Sequence, residues 1–178
     1  MTYLGPIPLE VLNQCARLEK EATAFKAAGD WSGAIATLHH VKALHGDLYQ
    51  STRLAKFFQQ AGRFDEAIAE IDWLVAHSAT WAKTSFGHQP MTVVQCQKVS
   101  WLMRIYKDAA LICKRAKRAD LHAAYERRHV DYLALLRKIQ PVAEEDMKAK
   151  ANRWEESLPP RVREKRALRA KAKAMQSE

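Results

Sequence analysis

No run of about 18 consecutive apolar residues occurs in this sequence, so no helix is expected to span a membrane. The opening MTYLGPIPLEVLNQ lacks a basic lead and a long apolar block, so it does not read as a secretory signal. Cysteine is scarce. Cys15, Cys96 and Cys113 are an odd number at wide spacings, which argues against a disulfide framework and for free thiols in a reducing cytoplasm. A glycine-rich phosphate loop, GxSxG and HExxH are all missing, so catalysis finds no support and no cofactor is expected. His39, His40 and His45 fall on one helix without an acidic partner at ligand spacing, so no metal site is expected there. His122 and Glu126, four apart, read as a surface pair. His129 lies on an apolar stripe and reads as a packed, hydrogen-bonded histidine.

At 48% hydrophobic, the 178 residues can bury a core. The net charge of +9 is uneven: residues 1–90 carry −1, 91–140 carry +7, 141–160 carry −2 and 161–178 carry +5. A neutral half followed by a basic one invites an anionic partner, although lysine and arginine also solubilise helices.

One motif is written twice. AGDWSGAIATL, from Ala28, and AGRFDEAIAEI, from Ala61, align residue by residue at a spacing of 33. Upstream, Ala22 matches Ala55 and Phe25 matches Phe58. Self-similarity at this period marks an array of helical hairpins. Apolar residues at steps of three and four predict helices from Pro8 to Ala27, Trp31 to about Leu44, about Leu48 to Ala61 and Phe64 to His77. Gly29, Gly46 and Gly62 end the first three, and Asp30 and Asp47 are natural caps. Residues 78–90 read as a long loop carrying Trp81 and Phe86. These aromatics either meet a partner or plug the end of the stack. A fifth helix is expected from Pro90 to Lys117 and a sixth from Asp120 to Gln140. Pro141 should break the pattern. Residues 142–157 then form a capping helix, and a basic arm over 158–178 reads as mobile.

The doubled stretch resembles the tetratricopeptide repeat family. Ala22, Phe25, Gly29, Trp31 and Ala34, and again Ala55, Phe58, Gly62, Phe64 and Ala67, supply its small residues, aromatics and turn glycine. The resemblance covers residues 15–80; an ordinary helical bundle is the alternative. It implies an all-α, right-handed stack of about seven helices over 8–157: two repeats in 8–78, a degenerate third hairpin in 91–140, and the capping helix. It also implies a groove lined by first-helix side chains, here Lys20, Thr23, Lys26, Tyr49, Arg53, Lys56, Gln59 and Gln60, with Glu19 the main acidic member. Such a groove suits an acidic segment or a terminal carboxylate. The family's own carboxylate-binding set is not reproduced.

A second candidate surface is the basic cluster Lys114, Arg115, Lys117 and Arg118, with Arg127 and Arg128 one helix later. It suits phosphate or an acidic protein. The resulting expectation is a cytoplasmic, non-enzymatic module that binds a protein or peptide partner as adaptor, chaperone or inhibitor. A nucleic-acid-associated factor working through the basic half is the alternative. Self-association is compatible with either.

Overall fold

Three copies of one backbone turn organise the chain. The computed structural model describes residues 7–175. Among them are seven α-helices and no strand: α1 Leu9–Ala27, α2 Trp31–His45, α3 Arg53–Gln60, α4 Phe64–Phe86, α5 Met91–Arg115, α6 Ala119–Ser157 and α7 Pro160–Met175. None of these helices is long and apolar enough to cross a membrane.

Residues 28–30 join α1 to α2, 61–63 join α3 to α4, and 116–118 join α5 to α6. In each, the middle residue takes a left-handed φ: +79° at Gly29, +78° at Gly62 and +59° at Lys117. The hydrogen bonds repeat as well. Asp30, Arg63 and Arg118 each donate their N–H to the carbonyl five residues back, at 2.9 Å. The sequence suggests no glycine turn at the third joint, yet Ala116-Lys117-Arg118 reproduces Ala61-Gly62-Arg63 with lysine in the glycine's place. Asp30 caps α2 as expected, accepting from the Gly33 N–H at 2.8 Å.

A side chain at left-handed φ costs roughly 1 kcal/mol through its Cβ. Lys117→Gly should therefore raise stability by about 0.5–1 kcal/mol in urea unfolding, the gain being trimmed by the freer unfolded chain. A Cβ on Gly29 would meet nothing within 4 Å, so Gly29→Ala tests backbone strain alone. It should cost about 1 kcal/mol. Opposite signs for the two variants are the signature; a matching sign would refute the shared-turn account.

The helices pack in chain order, each against the next from α1 to α6, and α3 also meets α5. One core cluster runs from Cys15 on α1 to Tyr125 on α6. Ala22, Ala34, Ala55 and Ala67 are fully buried in it, and these small residues are where helices approach closely. A smaller cluster of Val93, Cys96 and Ala143 joins the start of α5 to the later part of α6.

Four expectations need correction. The loop over 78–90 is mostly helix: α4 continues to Phe86, burying Ser78, Trp81 and Ala82 at helical spacing. Only residues 87–90 connect it to α5. Pro141 does not divide the sixth helix, and the separate capping helix over 142–157 is the second half of α6. The basic arm is helical as α7 through Met175, while residues 176–178 lie outside the described residues. The third helix begins only at Arg53. Gly46–Leu48 form a 3-10 turn, and Tyr49 is extended and turned into the core at 3% exposure.

Candidate functional site

The three like turns bring the ends of α1, α3 and α5 to one end of the stack. There Lys26, Trp31, Gln59, Gln60 and Arg115 line a wide-mouthed concavity of about 650 Å³. The repeat register explains the convergence. Lys26 and Gln59 stand two residues before Ala28 and Ala61, and Arg115 stands directly before Ala116, the same place that Gln60 holds before Ala61.

Trp31 supplies the one aromatic ring that lines it, and Phe57 backs that ring from the core. Trp31 meets Phe57 edge-on, with ring centroids 6.2 Å apart. Lys26 Nζ stands 5.2 Å from the Phe57 centroid and 6.0 Å from that of Trp31. Cation–π attraction holds this ammonium over the rings while leaving its charge uncompensated. No ion pair among the described residues involves Lys26 or Arg115. Gln59 Oε1 is buried without a hydrogen-bond partner.

The rest of the expected groove has other work. Arg53 pairs with Glu19 at 3.4 Å, donates to the Glu19 carbonyl at 3.1 Å and reaches the Thr23 hydroxyl. Lys56 pairs with Asp108 at 2.7 Å, and the same carboxylate accepts from Thr52. These cations bind α1 to α3 and α3 to α5. Tyr49, expected on the groove wall, is core. Burial and the nearby Glu70 carboxylate push its phenol pKa upward. Lys20 is exposed at the edge of α1.

Two members of the basic cluster are engaged in a similar way. Arg118 pairs with Asp120 at 3.3 Å and lies 5.4 Å from the Phe64 ring. That hydrogen bond holds the Asp120 carboxyl below its usual range. Arg128 stands over Tyr106 at 5.6 Å. Lys114, Lys117 and Arg127 are exposed. Of the expected loop pair, Trp81 is buried against Trp101, centroids 6.0 Å apart, and Phe86 covers its edge at 5.6 Å. These aromatics plug the stack rather than face outward.

His129 and His122 tie α6 to α5. His129 Nδ1 lies 3.0 Å from the Met103 carbonyl, as its place on the apolar stripe suggests. His122 turns to the Ala110 carbonyl at 3.0 Å instead of Glu126. Burial raises the pKa of all three free thiols, so they stay protonated at neutral pH.

Two participants were hidden in the sequence. Trp31 reads there only as a repeat residue, and Arg115 belongs to the separate basic cluster. Aligning Ala116-Lys117-Arg118 with Ala61-Gly62-Arg63 is the signal that places Arg115 level with Gln60. Comparison of the chain with family models, curated proteins and solved structures finds no match.

Proposed function

We propose that this chain is a non-enzymatic, cytoplasmic interaction module whose tetratricopeptide-like hairpin stack holds an acidic segment of a protein partner in the basic concavity. The supporting observation is that Lys26 and Arg115 converge from different hairpins without acidic partners among the described residues. A partner carboxylate is the complement such a pair lacks. Arg115 can hold it bidentately, Lys26 adds a point charge, and Gln59 and Gln60 supply amide donors. Trp31 offers an apolar face to the residue beside the carboxylate. Holding a partner this way serves an adaptor, a chaperone or an inhibitor alike.

The test is binding of dye-labelled acidic peptides, with free or amidated C-termini, followed by fluorescence anisotropy. Lys26→Glu with Arg115→Glu should weaken binding about 30-fold or more, since charge-assisted hydrogen bonds contribute about 1.5–3 kcal/mol each. Helicity should stay intact, because neither residue forms an ion pair among the described residues. Undiminished affinity in this double variant would reject the concavity as the site. Arg53→Glu with Lys56→Glu is the poorer probe: it sets like charges against Glu19 and Asp108 and so lowers stability directly.

A further inference from the structure

Among the described residues, helix α7 does not share the extensive helix-on-helix packing of α1 to α6. Pro160–Met175 holds seven basic residues and one acid, Glu164. Its described side chains, Arg161 to Arg166 with Leu168 and Arg169, are all exposed. Isolated helices of about this length are marginal in water, and most draw stability from an apolar face buried elsewhere. Among the described side chains of α7 no such face is buried. Charge also opposes this helix. Arg161, Lys165 and Arg169 recur every four residues, placing like charges along one side roughly 6 Å apart. Anions laid along that row would relieve the repulsion.

A second feature adjoins it. Trp154, near the end of α6, is 53% exposed, and the Arg166 guanidinium lies 4.6 Å from its ring centroid. An exposed aromatic beside a cationic track is the combination that binds single-stranded nucleic acid: phosphates follow the charges and a base stacks on the ring. We propose that α7 and Trp154 form a sequence-independent site for single-stranded RNA or DNA, with Arg161, Lys165 and Arg169 contacting successive phosphates.

Other anionic partners fit less well. A membrane surface needs the apolar residues gathered on a separate face. At 100° per residue Val162 falls inside the basic arc, between Arg169 and Arg166, so inserting it would drag cations into lipid. An acidic protein surface would need apolar anchors for tight binding. Among the described α7 side chains only Val162 and Leu168 are large and apolar. Phosphate contacts need neither.

The test uses the full chain and a dye-labelled oligothymidine of about 20 nucleotides, longer than typical single-strand sites. Three phosphate contacts on a single strand give a log–log salt slope of about −2, or a roughly 20-fold loss from 50 to 200 mM salt. Arg161→Gln, Lys165→Gln and Arg169→Gln together should weaken binding at low salt at least about ten-fold and remove that slope. Trp154→Ala should lose about ten-fold on the single strand and little on a duplex of equal length, because the ring reads an unpaired base. All four residues lie outside the core, so circular dichroism should be unchanged. The inference is overturned by absent oligothymidine binding at 50 mM salt, by a triple variant that binds like the parent, or by a harmless Trp154→Ala. Capture by anionic vesicles without nucleotide binding would overturn it too. Lys26→Glu with Arg115→Glu should leave oligothymidine binding intact, so this site and the peptide concavity stand or fall separately.

Discussion

Lys42→Met is expected to lower unfolding free energy by about 3–5 kcal/mol at pH 7, the usual cost of stripping one partner from a buried ion pair. Lys42 on α2 donates to Glu70 on α4 at 2.6 Å, and the two side chains are 19% and 6% exposed. Trp73 lies beneath the ammonium, with Nζ 3.4 Å from its ring centroid, and His77 stacks on the far side at 3.8 Å. Without Lys42, a carboxylate is left in the core, and its Oε1 already lacks a hydrogen-bond partner. Burial is the largest influence on Glu70 and raises its pKa above the ordinary carboxylate value; Lys42, His39 and His77 pull the other way.

The sign of the pH dependence follows. A folded-state pKa above the unfolded one means that the folded chain holds a proton where the unfolded chain has lost it. Stability therefore falls as pH rises through that window and recovers as pH falls. Removing Lys42 widens the window, so the deficit of Lys42→Met should shrink between pH 7 and pH 5. Urea unfolding of both proteins at the two pH values measures this. Adding Glu70→Leu should restore most of the loss, because the uncompensated charge is gone. A deficit below about 1 kcal/mol at pH 7, or a double variant no better than the single, would sink this account.

Pro141→Ala should move stability the other way, by about 2–3 kcal/mol. Pro141 lies inside α6, where it has no N–H to offer the Arg137 carbonyl. Both residues are exposed, so water can take that carbonyl. The helix persists because α5 and the connector before it grip it on both sides of the proline. His129 bonds the Met103 carbonyl before it. After it, Ala143 packs on Val93 and Cys96, Thr92 donates to Asp146, and Lys150 Nζ reaches the His88 carbonyl at 2.7 Å. Alanine keeps all of these contacts and adds a backbone hydrogen bond. An unchanged or lower urea midpoint in Pro141→Ala would mean that a proline bend is required for the α5–α6 fit.

Tertiary contacts override local signals at several places. Proline is a strong breaker over a few residues, yet contacts spaced along both halves of α6 outweigh it. Ser78 and Thr80 give 78–90 the look of a loop, but Ser78 satisfies its hydroxyl on the Val75 carbonyl and lets α4 run on. Tyr49 has the polarity of a groove residue. Its ring instead fills the space beside His45 and Trp73, at 6.2 and 6.1 Å between centroids.

The sequence alone determined the helical class, the buried stripes of α2 and α3, the Asp30 cap and the turns at Gly29 and Gly62. Each depends on residues within one or two helical turns of one another, where backbone sterics and side-chain periodicity decide the outcome. Tertiary structure alone decided which cations meet a carboxylate. Lys42 meets Glu70 across 28 residues, Arg53 meets Glu19 across 34, and Asp108 gathers Thr52 from 56 residues away. Charge is evident from composition, but whether it is neutralised depends on which helix lies alongside. Only the packed helices separate Arg53 and Lys56, which brace them, from Lys26 and Arg115, which enter no ion pair among the described residues.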